Sequence, residues 1–197
     1  MIHMAEYVLI QNRLDRDLMI PDGFSLVSST QRQRNGEEVR VERYQREQAI
    51  VPNNAHLTLV FGDDDRLISY NNFLGNPDLS LPSEDGLVQQ AIGVWQNLDA
   101  DYAQGLQFMR IDTLKRFYLT GRGQRVDFDV LWVKFAHANG SYNWVTIGPG
   151  GQVMEVERES RWDYMRSRRA TEEWNYDNWV LAREGKGPQL EAPEALA

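Results

Sequence analysis

The residues that could do chemistry in this chain form a few small groups, and histidine is the first of them. His3, His56 and His137 are isolated in sequence, and none has a histidine, cysteine or carboxylate at a metal-ligand spacing. Histidines at strand ends are ordinarily exposed or hydrogen-bonded, so we expect no ligand or catalytic role for them. The absence of cysteine excludes disulfides, thiolate metal sites and cysteine nucleophiles.

The acidic run 63–65 (Asp-Asp-Asp) could hold a hard cation through its carboxylate oxygens. A calcium loop needs further ligands, however, and a turn between strands favours Asp by itself, so we interpret the run as a turn. The Gly-rich loops 121–123 and 148–151 connect predicted strands and open no helix, which excludes a phosphate cradle. No Gly-x-Ser-x-Gly elbow, His-Glu-x-x-His or Ser-x-x-Lys motif occurs. We therefore expect no enzyme activity, no catalytic residue, no metal and no cofactor.

Arginine and aromatic side chains concentrate near the C-terminus. Between residues 158 and 169, five arginines oppose two acidic residues. Arginine beside Trp and Tyr suits carboxylates, phosphates, sugars or peptide backbone. The candidate binding residues are Trp162, Tyr164, Arg166, Arg168, Arg169 and Trp174. The alternative, which we prefer, is a structural clasp whose aromatics pack on the sheet while the arginines pair with nearby carboxylates.

Composition restricts the class of protein. A chain of 197 residues can hold one sizeable core or two small lobes. A formal charge of −8 argues against a nucleic-acid partner. No stretch approaches the ~20 apolar residues of a membrane span, and the N-terminus has no signal-peptide pattern. The chain as written is expected to be cytoplasmic, or extracytoplasmic if a signal peptide was removed, and its oligomeric state stays open.

Hydrophobic periodicity predicts most elements in the second half of the chain. The apolar stripe from Leu87 to Leu98, with Ser83 as N-cap, predicts a helix over 83–98. Alternation predicts consecutive antiparallel strands over 126–137, 141–147 and 152–158. Asn139-Gly140 is typical of a type I′ turn, in which both residues need positive φ. Trp95 on the helix stripe and Trp132 on the first strand are both expected to be largely buried.

Two hairpins indicate an internal duplication. The segments 61–68 and 147–154 both read as strand, turn and strand, 86 positions apart (147 − 61 = 86). The same offset places a helix near the N-terminus, where residues 5–17 have near-helical apolar spacing. The predicted fold class is α+β: two similar units, each a helix packed on an antiparallel sheet, with a C-terminal helical segment that is rich in aromatics and arginine. The units are 1–80 and 81–160, followed by a helical clasp (161–185) that includes a helix over 171–182, and by a flexible tail (186–197).

The helix, the three strands and their glycine-containing last hairpin resemble the PepSY-type domain. The matching residues of that hairpin are Trp144, Val145, Ile147, Gly148, Gly151, Val153 and Val156. The resemblance covers roughly residues 80–158, with a fainter second copy over 1–75. It implies an extracytoplasmic regulatory or inhibitory module of peptidases, or a stand-alone binding domain, and it supplies no catalytic residues.

Two functions from different classes follow from these patterns. The first is a non-enzymatic soluble module that binds a protein or peptide through its sheet edges and aromatic surface. The alternative is a small-molecule-binding protein or small enzyme with a pocket between the two units. An enzyme would have to bring titratable groups such as His56, His137, Asp127 or Asp129 together in a concave site.

Overall fold

One eight-stranded antiparallel sheet organises residues 6–197, which the computed structural model describes. The strands are β1 (Glu6–Ile10), β2 (Arg13–Ile20), β3 (Ser25–Arg34), β4 (Glu37–Gln45), β5 (Leu57–Phe61), β6 (Leu67–Asn72), β7 (Leu106–Leu119), β8 (Arg125–His137), β9 (Tyr142–Ile147), β10 (Val153–Ser160), β11 (Trp162–Asp163) and β12 (Arg168–Arg169). The helices are α1 (Leu87–Leu98), α2 (Ala100–Ala103) and α3 (Asp177–Arg183). The large sheet has the order β3-β4-β5-β6-β10-β9-β8-β7, while β1–β2 and β11–β12 are separate hairpins.

Each half of the chain contributes four consecutive strands to the large sheet. Strands β3 to β6 form one meander and β7 to β10 form the other, and the two join where β6 pairs with β10. Tight turns set the register within each meander. Asn35 and Gly36, both at positive φ, close the β3–β4 turn, as a type I′ turn requires. In this strand order, β3 and β7 are the two edge strands of the sheet.

One face of the sheet, the core face, buries the main hydrophobic core. Helix α1 and the β1–β2 hairpin pack on it and contribute Trp95, Leu98, Val8 and Leu18 among other residues. Alternate residues of the central strands, such as Val133 on β8, point toward them. Because a strand presents alternate residues to opposite faces, the remaining positions of these strands form the second face, which we call the polar face. It holds buried charged residues such as Glu157, together with two small apolar clusters that include Val60 and Val130.

The predicted fold class is wrong. The described residues are 46% strand and 14% helix, and one large sheet replaces the two helix-on-sheet units. The predicted N-terminal helix is the β1–β2 hairpin instead, with Gln11 and Asn12 at positive φ in its turn. Leu9 and Leu14, which suggested the helix, are 56% and 60% exposed. Tertiary packing of the alternating residues overrides the near-helical spacing.

The second half of the chain follows its predicted elements more closely. The three predicted strands are confirmed as β8, β9 and β10. The predicted helix is confirmed as α1, but it begins at Leu87, after a left-handed Gly86 that makes no side-chain cap. Ser83 is therefore not the N-cap. At Asn139-Gly140 only Gly140 has positive φ, so the turn is not type I′.

The C-terminal helical segment is shorter than predicted. Helix α3 covers Asp177–Arg183 only, and residues 171–176 precede it without helical structure. Gly185, at φ 69°, follows the end of the helix as expected. We call residues 161–197 the C-terminal segment. It lies on the polar face of the sheet, as its hydrogen bonds to that face show below.

Among the described residues, no helix has the length and apolar content needed to cross a membrane.

We predict that Trp95→Ala lowers the free energy of unfolding by about 3–5 kcal/mol, because it removes a large side chain from a packed core and leaves a cavity. Trp95 is 1% exposed and belongs to the core-face cluster. Ile92 lies on the same helix but is partly exposed, so Ile92→Ala is the matched control and should cost less than about 1 kcal/mol. Urea denaturation measures both, and equal effects would contradict this assignment of the core.

Candidate functional site

A buried ion cluster anchors the C-terminal segment to the polar face. Glu157 on β10 accepts hydrogen bonds from Arg34 at 2.8 Å and from Arg169 at 2.6 Å through the same carboxylate oxygen. All three side chains are almost fully buried. Burial by itself would raise the pKa of Glu157, but the charges of Arg169 and Arg34 outweigh it and lower that pKa. The cluster thus joins β3, β10 and β12.

A second contact crosses the sheet closer to the edge strand β7. Arg116 on β7 donates two hydrogen bonds to Glu155 on β10, at 2.9 and 3.1 Å. The hydroxyl of Tyr176, from the C-terminal segment, donates to Glu155 at 3.0 Å. Burial, and next the negative charge of Glu155, raise the pKa of Tyr176 well above its usual value. Tyr176 therefore stays neutral and donates its hydroxyl hydrogen to Glu155.

Helix α3 is fixed by a third contact. Asp177 binds Arg43 through both carboxylate oxygens, at 2.7 and 3.1 Å, and accepts from the backbone N–H of Asn53 at 2.6 Å. His56 lies in the same region, buried and stacked on Phe73 with ring centroids 4.7 Å apart. Burial lowers the pKa of His56 to about 4. The imidazole is therefore neutral near pH 7.

The C-terminal segment and the polar face enclose a pocket of about 510 Å³, which lies within the range of small-molecule sites. We call it the aromatic pocket. Its walls combine aromatic rings with charged groups at each side. The lining residues are Arg110, Asp112, Leu114, Arg116, Trp132, Lys134, Tyr142, Trp144, Ser160, Arg161, Trp162, Tyr164, Arg169, Glu173, Tyr176, Pro193 and Glu194.

Lys134 forms the cationic side of the aromatic pocket. Its Nζ lies 4.1 Å from the ring centroid of Tyr142 and 5.1 Å from that of Trp132. No carboxylate oxygen of the described residues lies within 4.0 Å of it. Burial, and then the neighbouring charge of Arg110, lower the pKa of Lys134. Asp112 forms a 2.6 Å ion pair with Arg110 and, from a greater distance, raises the pKa of Lys134. Lys134 is thus a partly desolvated cation that forms no ion pair with the described residues.

A pair of carboxyl groups forms the acidic side of the same pocket. Glu173 is 1% exposed, and its Oε2 atom has no hydrogen-bond donor among the described residues. Burial is the largest cause that raises the pKa of Glu173 to about 8; the charge of Arg169 opposes this shift and the charge of Glu194 adds to it. Because this pKa lies above 7, Glu173 keeps its proton near pH 7.

The six candidate binding residues predicted from the sequence do not form one surface. Trp162, Tyr164 and Arg169 line the aromatic pocket, and the ring of Tyr164 is 73% exposed at its rim. The other three lie outside it. Arg166 pairs with the adjacent Asp163, Arg168 donates to the carbonyls of Glu194 and Leu190, and Trp174 donates to Gln33 and lines a separate cavity of about 300 Å³.

The remaining residues that the sequence singled out have structural contacts. His137 stacks on Tyr102, 4.1 Å between ring centroids, and its two nitrogens bond the Tyr102 carbonyl and the Asn139 amide. His56 bonds the Asn54 carbonyl at 2.6 Å, while His3 lies outside the described residues. His56 lines a cavity of about 160 Å³ together with Asp177 and Tyr176, and His137 does not line it.

The acidic turn at residues 63–65 is neutralised by an arginine. Glu37, Asp63 and Asp64 bring carboxylate oxygens within 4.8 Å of one another. Arg66 donates to Glu37 at 2.6 and 2.7 Å and to Asp64 at 2.8 Å. The guanidinium thus supplies the positive charge that a cation would bring, in agreement with the interpretation of this run as a turn.

Sequence reasoning missed the sheet side of the aromatic pocket. Trp132 was expected to be largely buried, but it is only partly buried and lines the pocket. Lys134 was not considered. A signal was present in the alternation of β8, since Trp132 and Lys134 occupy the same face while Leu131 and Val133 belong to the core face. A lysine two residues from a tryptophan on a central strand indicates a partly covered surface.

Searches among protein families, curated proteins and solved structures find no match to this chain. The PepSY-type resemblance therefore stays a prediction that rests on the residues of the last hairpin.

We predict that Glu157→Ala costs about 3–5 kcal/mol of unfolding free energy, because it leaves Arg34 and Arg169 buried without their anion. Asp129→Ala is the control, since the Lys115–Asp129 pair is exposed and is expected to contribute at most about 1 kcal/mol. Urea denaturation at neutral pH measures both variants. A cost for Glu157→Ala as small as that of the control would show that the cluster does not hold the segment.

We predict that the free energy of unfolding decreases as pH rises from about 5 to about 8, on the order of a few kcal/mol. The pKa of Glu173 is higher in the folded chain, about 8, than its ordinary 4.5, so the fold keeps a proton that the unfolded chain loses in this window. Glu194→Gln removes the neighbouring charge and should flatten the dependence. Glu191→Gln, an exposed carboxyl in the same segment, should leave it unchanged. Denaturation at several pH values is the measurement, and equal slopes in all three proteins would contradict the effect of Glu194 on the pKa of Glu173.

Proposed function

We propose that this chain binds a small organic anion with a flat apolar body in the aromatic pocket. The observation that carries the proposal is Lys134, a partly buried cation that has aromatic contacts but no carboxylate partner among the described residues. A buried charge is costly unless it is paired. An anionic group of a ligand would provide the missing partner, and it would raise the lowered pKa of Lys134.

The aromatic walls support a ligand with a planar or apolar body. Trp132 and Trp144 lie side by side on the sheet, with ring centroids 5.4 Å apart and a tilt of 57°. Trp162 and Tyr164 line the opposite wall from the β11–β12 hairpin. Aromatic side chains bury large areas and favour stacked or edge contacts with flat groups. Such walls, with a few polar groups that fix orientation, are typical of small-molecule sites.

Arg161 adds a second positive charge at the mouth of the pocket. Its guanidinium is exposed and makes no ion pair with the described residues, so it is available to an approaching anion. The whole chain is acidic, with a formal charge of −8. A local cationic mouth on an acidic protein focuses small anions toward one place.

The sequence predicted a small-molecule site as the alternative function, but the proposed site lies at a different place in the fold. The expected location between two units has no counterpart, because the units are one sheet. The pocket lies instead between that sheet and the C-terminal segment. The expectation of a non-enzymatic module with a protein or peptide partner, regulatory or inhibitory toward a peptidase, stays a prediction.

We predict that the fluorescent anion anilinonaphthalene sulfonate binds one site and that Lys134→Met weakens this binding about tenfold, the size of one lost charge contact. Methionine keeps most of the length of the side chain and removes the charge. Lys115→Met is the matched control, since Lys115 lies on the neighbouring strand, is exposed and does not line this pocket. Its affinity should equal that of the wild type.

A fluorescence titration measures these affinities, and neutral N-phenylnaphthylamine serves as the second probe. The wild type should bind this neutral probe more weakly than the sulfonate. Lys134→Met should bind the neutral probe as tightly as the wild type does. No binding of the sulfonate, or equal affinities in the wild type and Lys134→Met, would overturn the proposal.

A further inference from the structure

The two charged sides of the aromatic pocket carry opposite sign and are set apart. The charges that act on Lys134 are those of Arg110 and Asp112. Glu173 and Glu194 act instead on Tyr176, at the other side of the pocket. The ring of Trp144 lies between them: its neighbour on β8 is Lys134, and on its other side Arg169, 5.6 Å away, leads to Glu173. A ligand that fills the pocket therefore meets a cation at one end and carboxyl groups at the other.

The acidic side lacks donors. Arg169 is the nearest cation, but it donates to Glu157 at 2.6 Å and to the Thr171 carbonyl at 3.0 Å, and it reaches Glu173 only at 3.5 Å. The Oε2 atom of Glu173 is buried and has no donor among the described residues. Glu194 is partly exposed and makes no ion pair with those residues. An ammonium group has three donors and could serve both carboxylates.

We propose that the ligand is a short zwitterion, specifically a dipeptide or tripeptide with free termini, whose carboxylate binds Lys134 and whose ammonium binds between Glu173 and Glu194. This inference rests on the proposed function and names its ligand class. Bound in this way, the ammonium favours the ionised form of Glu173, whose proton leaves to solvent. No covalent step is involved.

The size and lining of the pocket suit a peptide of this length. An extended chain spans at most about 3.3–3.6 Å per residue, so a tripeptide extends over roughly 10 Å. The hydroxyls of Tyr142 and Tyr164, 2.7 Å apart, stand at the pocket wall where they can bond peptide amides. The tryptophan rings can take an apolar side chain of the ligand. A pocket of about 510 Å³ holds a small peptide without room for a folded domain.

The test compares three forms of one tripeptide by isothermal titration calorimetry: Gly-Phe-Gly, its N-acetyl form and its C-terminal amide. Gly-Phe-Gly carries both terminal charges, the N-acetyl form carries only the carboxylate, and the C-terminal amide carries only the ammonium. We expect Gly-Phe-Gly to bind at least about tenfold more tightly than either blocked form. Titration in phosphate and in Tris at about pH 7 should give different enthalpies, because binding releases up to one proton and the two buffers differ in ionisation enthalpy.

Variants assign each terminus to its site. Glu194→Gln should weaken the preference for Gly-Phe-Gly over its N-acetyl form and reduce the proton release, while Glu191→Gln should leave both unchanged. Lys134→Met should abolish the preference over the amide, while Lys115→Met should keep it. Circular dichroism of each variant confirms that it is folded before the titration.

The outcomes separate this inference from the proposed function. If the N-acetyl form binds as tightly as Gly-Phe-Gly, the ammonium site is wrong while the anion site stands. If none of the tripeptides binds to a protein that does bind anilinonaphthalene sulfonate, the peptide ligand is wrong and the proposed function stands. A preference and a proton release that are both unchanged in Glu194→Gln also overturn the inference. Failure of both the sulfonate and the tripeptides overturns both proposals.

Discussion

The position of Glu157 between Arg34 and Arg169 is the constraint on which the rest of the polar face depends. One carboxylate oxygen accepts from both guanidinium groups, and all three groups are removed from water. A buried charge that loses its partner costs several kcal/mol. The C-terminal segment therefore cannot move away from β10 without exposing or unpairing the cluster. This contact fixes where the segment crosses the sheet, and it therefore fixes the position of the C-terminal residues that cover the neighbouring part of the polar face.

The aromatic pocket follows from that fixed crossing. On one side of Arg169 the segment continues into Tyr176 and α3, which bind Glu155 and Arg43, and α3 lines the separate cavity of about 300 Å³. On the other side Trp162 of the β11–β12 hairpin lines the aromatic pocket together with Trp132 on β8 and Trp144 on β9. The space is thus set by backbone geometry and ion pairs on polar residues, and the hydrophobic core on the opposite face does not depend on it.

The sequence predicted those elements whose local signals agree with their packing. Strands β8 to β10 and helix α1 combine clear periodicity with turn glycines, and they are confirmed. The N-terminal hairpin was missed because Leu9 and Leu14, both exposed, imitate a helical stripe. The sequence predicted only some of the residues that line the aromatic pocket. Trp162 and Tyr164 were visible as a composition cluster, and the alternation of β8 places Lys134 on the same face as Trp132. The contact of that face with the segment from residue 161 onward is long-range, and no local pattern encodes it.

The aromatic pocket differs from the other polar contacts of the same face in its unpaired cation. Arg116 and Arg43 each bind one carboxylate through two hydrogen bonds, and Arg34 and Arg169 bind the same carboxylate. In the aromatic pocket, by contrast, Lys134 forms no ion pair with the described residues, and Glu173 Oε2, like Glu157 Oε2 in the neighbouring cluster, has no donor among them. Natural chains satisfy their buried charges with few exceptions, and the exceptions concentrate where function requires them. A cation and a carboxyl pair left open in one aromatic pocket are complementary to a ligand that carries both opposite charges.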